Sequence, residues 1–482
     1  MSATDWEPVI GLEVHCQLDT VSKLFSPCPL QRLAEPNTLV DPFSLGLPGT
    51  LPVVNAAAIR SAVALALALG CRVQPRSRFA RKHYFYPDLP KGYQTTQGTE
   101  PYALGGSIEI PGDPPHRVRL TRIHLEEDAG KNVHVPGEDV SLLDFNRAGA
   151  PLLEIVSEPD LRSGQQAADY LRELRSIVRA LGISDANMEE GTLRCDANVS
   201  LRPRGTDTLG TRCEIKNLNS FRFLAQAIAA EIRRQTDVLD SGGAVQMATM
   251  SYDPQRDRTR VMRTKEDAAD YRYLPEPDLP PLQIEAAFIE EIAAGLPELP
   301  AQQRRRWAEV GISDADATLL SGDADLGRYF EATVAAGAPA LKAANWVTIE
   351  LLAKLSADDR TIDACPVSPA HLAELIAMVE DGTLSQRAAK QVLFAAYDEG
   401  LSPRQIAERD GHQQLSDVTA LEAVVAQVLA ASGKQLAQYQ GGKVALRGYF
   451  VGQVMKKTRG QANPQVVSEI LDRRLPPVDA DT

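Results

Sequence analysis

Cysteine is scarce in this 482-residue chain: there are six, at positions 16, 28, 71, 195, 213 and 365. None forms a C-x-x-C pair, so neither a disulfide framework nor a dithiol redox centre is expected, and free thiols in a reducing, cytoplasmic setting are. No run of about 18 apolar residues occurs, which argues against a membrane-spanning helix. The opening residues Met1–Trp6 are acidic and lead straight into a strand pattern, unlike a secretory signal or an Arg-rich transit peptide. Phosphate loops are missing as well: there is no G-x-x-x-x-G-K-[ST] and no G-x-G-x-x-G, and Gly46-Leu47-Pro48-Gly49 reads as a turn. A nucleotide would therefore need a less common fold. A nucleophile elbow is absent too. The one Cys beside a His, Cys16 next to His15, falls on an apolar face and reads as packing.

What is present is ordinary globular composition, 44% hydrophobic and 24% charged, which excludes general disorder. The length suggests about three domains. Val9–Leu18 alternates with period two. Ile10, Leu12, Val14, Cys16 and Leu18 share one face, and Gly11, Glu13, His15 and Gln17 the other, as in a half-buried strand. Leu193–Arg202 repeats the pattern, and shorter alternations occur at Val118–Leu125, Leu152–Val156 and Cys213–Asn217. Helical spacing begins near Ser163 and stops at Gly182; a second helix begins near Ser220 and stops at Gly242-Gly243. A Pro-rich passage, Leu274–Pro281, closes this mixed region. Beyond it Ser368-Pro369, Ser402-Pro403 and Asn463-Pro464 each set a capping residue before a helix-starting proline. The expected class is α+β, with an all-helical C-terminal part and a second boundary near Ser402–Leu415.

Charge is uneven. The chain carries −13 overall, yet eight basic and four acidic residues give positions 433–482 a charge of +4, leaving −17 on the rest. A basic tail on an acidic body is either a reader of phosphate backbone or a solvated helical face.

The strands carry charge where a wetted face rarely needs it. Glu13 and His15 share a face, as do Arg194 and Asp196, and Glu214 and Lys216. Glu154 interrupts the apolar run Leu152–Val156, and Glu126-Glu127-Asp128 ends another strand. An unpaired carboxylate amid aliphatic neighbours is expensive to bury. If these strands form one sheet, its polar face is a floor of carboxylates, imidazole and cations suited to Mg²⁺ and phosphate.

Several long strings resemble one family. Val9–His15 reads V-I-G-L-E-V-H, Tyr86–Gln94 reads Y-P-D-L-P-K-G-Y-Q, and Leu125–Lys131 reads L-E-E-D-A-G-K. Phe145–Asp160, Glu190–Ser200, Glu214–Ser220, Asp270–Leu279, Val451–Lys457 and Ala462–Pro464 continue the match. The chain resembles the GatB family, the B subunit of aspartyl/glutamyl-tRNA(Asn/Gln) amidotransferases, along nearly its whole length. The resemblance implies a β-rich cradle domain related to glutamine synthetase over 1–292, a helical domain over 293–408 and a helical, tRNA-binding tail over 409–482. It implies ATP and Mg²⁺ as cofactors, and misacylated Glu-tRNA(Gln) or Asp-tRNA(Asn) as substrate. The partners it implies complete a heterotrimer: an amidase subunit, and a small subunit that helps tie the other two together. It implies further that ATP phosphorylates the side-chain carboxylate and ammonia from glutamine displaces the phosphate.

Carried over residue by residue, the resemblance makes Glu13, His15, Glu127 and Glu154 the catalytic, metal-binding set. It places Lys91, Arg147, Asp196 and Lys216 around the nucleotide and acyl end, and Lys456, Lys457 and Arg459 against tRNA. Two departures stand out. Where many members carry four zinc-binding cysteines, this chain has Ser26, Cys28, Asp41 and Ser44, so no structural zinc is expected. The second is Ala248-Thr249-Met250-Ser251-Tyr252-Asp253, which lacks a Glu and an Arg usual in the family. A tRNA-binding or scaffold subunit that has lost catalysis is the alternative, which this second departure favours slightly and the intact Glu13, His15, Glu127 and Glu154 oppose. A free small-molecule carboxylate–amine ligase is a third reading, opposed by the basic tail.

Overall fold

A computed structural model describes residues 5–31, 33–112, 114–135, 137–264, 271–412, 418–458 and 462–475. The chain divides into two compact units, Met1–Gln303 and Arg304–Thr482. Among the described residues the first holds a 14-stranded sheet. Its principal strands are β1 (Trp6–Gln17), β2 (Arg76–His83), β3 (Tyr93–Glu100), β4 (His116–Glu127), β5 (Pro151–Ser157), β6 (Leu193–Pro203), β7 (Cys213–Leu218), β8 (Ala248–Asp253) and β9 (Arg258–Thr264). Their spatial order is β9-β8-β7-β6-β1-β5-β4-β3-β2. Every pair along this path is antiparallel except β7–β8, which is parallel.

β1 is central because its alternation is strict. Ile10, Leu12, Val14 and Cys16 are buried in the core, and Glu13 and His15 lie on the other face. Three helices cover the apolar face: α1 (Ala56–Ala68), α2 (Gly164–Ala180) and α3 (Phe221–Asp240) all contribute to the same core cluster. Ser163 and Ser220 cap α2 and α3, their hydroxyls accepting from Gln166 N and Phe223 N. Gly164 lets α2 approach α3: a Cβ there would stand 2.3 Å from the Ala225 carbonyl oxygen.

One irregularity decides where the polar side chains go. β4 sends Val118 and Leu120 into the core, then Ile123 and Leu125. The parity changes because Leu120 pairs Ser157 and Arg122 pairs Val156, leaving Thr121 as a bulge. A bulge inserts one residue and reverses the alternation beyond it. Arg122, His124 and Glu126 consequently join the face that bears Glu13 and His15.

The second unit is helical among its described residues. Helices Asp314–Gly322, Ala324–Ala335, Pro369–Glu380, Gln386–Glu399 and Pro403–Arg409 contribute to one hydrophobic cluster, which includes Phe330, Leu375 and Leu393 and also Trp307. Helices Val418–Ala431, Gly433–Gln440, Leu446–Lys457 and Pro464–Arg474 supply another, with Leu421, Phe450, Val467 and Ile470 fully buried. The three capping residues read from the sequence all cap: Ser368, Ser402 and Asn463 accept from His371 N, Gln405 N and Gln465 N. No helix of the described residues is long and apolar enough to cross a membrane.

Candidate active site

Strand register assembles the site. His15 on β1 stands opposite Arg194 of β6 on one side and Glu154 of β5 on the other, and Glu154 stands opposite His124 of β4. Four side chains, three basic and one acidic, thus cross four neighbouring strands in one row. The adjoining row pairs Glu13 with Asp196. Glu126 follows His124 by two residues and so shares its face.

The polar atoms converge. His15 Nε2 lies 3.5 Å from Glu154 Oε2 and 3.6 Å from Glu126 Oε1. His124 Nε2 lies 3.3 Å from Glu154 Oε2 and 3.6 Å from Glu126 Oε2, and Arg122 Nη2 is 3.7 Å from Glu154 Oε1. Burial alone would raise both carboxyl pKa values. The close approach of His124, joined at Glu154 by His15, outweighs it and holds both below the usual carboxylate range. Burial alone would likewise lower the imidazole pKa values, but Glu126 and Glu154 lift His124 to about 9 and raise His15. Glu13 is pushed up, chiefly by burial and then by the charges of Glu154 and Glu214. It accepts a hydrogen bond from Asn198 at 3.0 Å.

His15, Glu126 and Glu154 each offer a ligand atom within 4.8 Å of the others. This donor set fits a hard divalent cation that keeps water or phosphate oxygens in its remaining positions. Glu126 Oε2 supports the fit, being buried with no hydrogen-bond donor of its own. Glu127, by contrast, alternates to the opposite face of β4. Lys91 Nζ donates to its Oε1, as does Thr95 N at 2.8 Å. Lys91 also lies 4.3 Å from the Phe43 ring centroid and 4.9 Å from that of Tyr93. The structure therefore brings His15 and Glu154 together with Glu126 and sets Glu13 beside them, while Lys91 and Glu127 form a separate buried pair.

The other sequence-derived residues surround this centre. Lys216 Nζ reaches Asp196 at 2.7 Å and Glu214 at 2.8 Å. Arg147 donates to the carbonyls of Ala129 and Gly130 at 3.0 and 2.7 Å, holding the turn that follows β4. Arg194 binds Asp128 at 2.7 Å. A cavity of about 660 Å³ opens on the same face. Glu13, Arg122, Asn198 and Ser200 line it from the sheet, and Leu209–Arg212 and Met247 from the loops. Its size is that of a small-molecule or cofactor pocket.

The two departures in sequence have structural accounts. Ala248 and Met250 pack into the core, and Asp253 caps a turn through Gln255 N and Arg256 N and binds Arg260 at 2.5 Å. In the 26–44 loop the Asp41 carboxylate accepts from Ser44 N at 3.0 Å and Ser44 Oγ at 2.7 Å, and faces the buried Lys23 ammonium at 3.6 Å. A lysine thus supplies positive charge to this loop, and burial pulls its pKa down. Elemental analysis should find no stoichiometric zinc, and Asp41→Ala should destabilise the protein by leaving Lys23 buried without its carboxylate. About one zinc per chain, lost on Cys28→Ala, would contradict this account.

In the tail Lys456 and Lys457 are exposed in the last turn of their helix, where cations complement the helix dipole. Lys457 also donates to Gln427 at 2.6 Å. Arg459 lies outside the described residues, as does Asp270. The sequence reading missed three members of the site: Arg122, His124 and Glu126 as the converging acid. Their signal was the alternation of those residues with Ile123 and Leu125.

Comparison with known proteins bears directly on this geometry. Residues 8–290 match the family model of the GatB/GatE catalytic domain, and residues 328–475 that of the GatB domain. Proteins named as the B subunit of aspartyl/glutamyl-tRNA(Asn/Gln) amidotransferase are similar throughout. That of Thermosynechococcus vestitus is 49% identical over 98% of this chain and 97% of its own length. That of Anaeromyxobacter sp. strain Fw109-5 is 50% identical over 98% and 100%, and that of Halorhodospira halophila 50% over 98% and 99%. With the catalytic domain matched from β1 through the end of the sheet and full-length relatives at this identity, the chain belongs to the GatB family, the B subunit of aspartyl/glutamyl-tRNA(Asn/Gln) amidotransferase.

Proposed function

We propose that this chain is the phosphorylating and amidating member of a glutamine-dependent amidotransferase acting on Glu-tRNA(Gln), Asp-tRNA(Asn) or both in the cytoplasm. The convergence of His15, Glu126 and Glu154 beside the 660 Å³ cavity carries this reading. A free carboxylate is a poor acyl donor because its leaving group would be oxide. ATP converts it: a side-chain oxygen attacks the γ-phosphorus, ADP leaves, and ammonia then displaces phosphate from the acyl phosphate. The nucleotide occupies the cavity with Arg122 and Arg212 near its phosphates. Glu13 and Lys216 order the polar groups at its edge. His15, Glu126 and Glu154 would hold a Mg²⁺, which would supply charge screening for phosphoryl transfer. Lys91 and Arg147 act at one remove, fixing Glu127 and the turn after β4.

The proposed organisation is a cradle resembling glutamine synthetase over 1–292, a helical domain over 293–408 and a tRNA-binding tail over 409–482. Ammonia comes from a separate amidase subunit, and a small third subunit joins the two into a heterotrimer. The test is the reconstituted complex given each misacylated tRNA, ATP and glutamine, with the product amino acid identified. Glutamine or asparagine on the tRNA is expected; amide formation on free glutamate and none on tRNA contradicts the reading.

The tail carries its own prediction. Replacing Lys456, Lys457 and Arg459 by Ala should weaken binding of every tRNA substrate alike and reduce the salt dependence by up to about three phosphate contacts. Unchanged affinity and salt slope would mean that these cations serve only the helix end.

A further inference from the structure

Four aromatic residues among the described ones are exposed, and three of them, Phe85, Tyr86 and Tyr273, occur on one part of the first unit, at 77%, 58% and 44% exposure. Tyr86 and Tyr273 end one chain of ring contacts, and Phe85, next to Tyr86 in sequence, has the Arg272 guanidinium 5.9 Å from its ring centroid. Tyr86 packs edge-on against Tyr84 at 5.9 Å between centroids, Tyr84 against Tyr271 at 6.3 Å, and Tyr271 against Tyr273 at 6.1 Å. Lys82 Nζ sits 5.9 Å from the Tyr84 centroid and 5.0 Å from that of Tyr271. The cluster is held from below, since the Tyr84 N–H donates to the Gly92 carbonyl and the His83 N–H to that of Tyr271.

Register ties this cluster to the acid centre. Lys82 stands opposite Gln94, Ala80 opposite Thr96, and Thr96 opposite Glu126. Residues directly opposite one another share a face, so Lys82 lies on the same face as Glu126, two strands away. Burial lowers the Lys82 pKa, but the charges of Glu126, Tyr273 and Glu154 more than reverse it. Lys82 and the Tyr84 and Tyr271 rings beside it therefore stand at the β2 edge of the reaction face, with Tyr86 and Tyr273 against those rings, while the cavity lies toward β1 and β6.

We propose that Phe85 and Tyr86, backed by the tyrosine cluster around Lys82, form a stacking platform for the unpaired terminal base of the aminoacylated RNA. This rests on the reading that the acid centre receives an aminoacyl group joined to that RNA's last ribose. The base is then the next rigid, planar group from the reacting carboxylate, and its π-face matches exposed rings irrespective of sequence. Lys82 supplies the positive charge that the adjoining phosphate needs. A protein partner seated on the same rings would cap the side from which the acyl group must arrive.

The experiment uses the assembled complex and a tRNA whose terminal adenine is replaced by 2-aminopurine, whose fluorescence is quenched on stacking. Wild type should quench it. Phe85→Ala with Tyr86→Ala should abolish quenching and weaken binding by about 10- to 100-fold. Phe85→Leu with Tyr86→Leu, which keeps apolar bulk but no π-face, should do the same, and Phe85→Tyr with Tyr86→Phe should restore both readouts. Removing the terminal nucleotide from the tRNA should weaken wild-type binding but leave the alanine variant's binding unchanged. Quenching by the leucine variant as strong as by wild type overturns the proposal. So does loss of another subunit from the purified complex in the leucine variant, which would make the rings a protein interface. Amide formation without any quenching sinks the platform alone; quenching without amide formation sinks the functional reading and leaves the platform standing.

Discussion

Glu154→Gln should lower the rate of carboxylate phosphorylation by about 10²–10³-fold while leaving tRNA affinity close to wild type. The substitution keeps the shape of a side chain that meets His15 at 3.5 Å and His124 at 3.3 Å. It removes the charge that both imidazoles and a bound cation need. Glu126→Gln should behave the same way, because Glu126 is the third member of the convergent group. Glu127→Gln should not: its carboxylate is held by Lys91 and Thr95 on the other face. Single-turnover release of ADP, set beside tRNA binding, separates these outcomes. A Glu127→Gln enzyme as slow as Glu154→Gln, with unchanged thermal stability, would place the wrong carboxylate at the centre.

Lys91→Met should cost about 3–5 kcal/mol of stability, the usual consequence of stranding one member of a buried ion pair. The Lys91 and Glu127 side chains are only 3% and 2% exposed. Burial keeps solvent from replacing the ammonium, and the folded state also loses the ammonium's contacts with the Phe43 and Tyr93 rings. The double substitution Lys91→Met with Glu127→Gln should recover part of that loss, since it leaves no charge uncompensated. Urea unfolding of the three variants checks this. If Lys91→Met instead raises the KM for ATP with no change in unfolding midpoint, Lys91 is a nucleotide ligand and the buried pair is secondary.

Much of this was legible in the sequence where burial is one-sided. The alternation of Val9–Leu18 and Leu193–Arg202 marks β1 and β6, because each strand buries one face and wets the other. The serines at 163 and 220 marked the starts of α2 and α3 for an equally local reason. Less visible were elements whose patterns carry no period. α1 is nearly all Ala, Val, Leu and Ile, apolar on every side, and β3 reads as a polar run of Tyr, Gln and Thr although Gln94, Thr95, Thr96 and Gln97 are all buried. The bulge at Thr121 mattered most. A strand read straight through from Val118 puts Glu126 on the apolar face and Glu127 on the polar one; one inserted residue exchanges them. Glu13, His15 and Glu154 needed no such knowledge, because no bulge separates their alternation from their neighbours'.

Oxygen transfer tests the central claim most directly. The assembled complex receives aminoacyl-tRNA with ¹⁸O in the side-chain carboxylate, together with ATP and glutamine. If that carboxylate is phosphorylated before ammonia attacks, one labelled oxygen leaves with the phosphate, and inorganic phosphate carries ¹⁸O in proportion to the amide formed. Unlabelled phosphate alongside full amide formation would contradict the account.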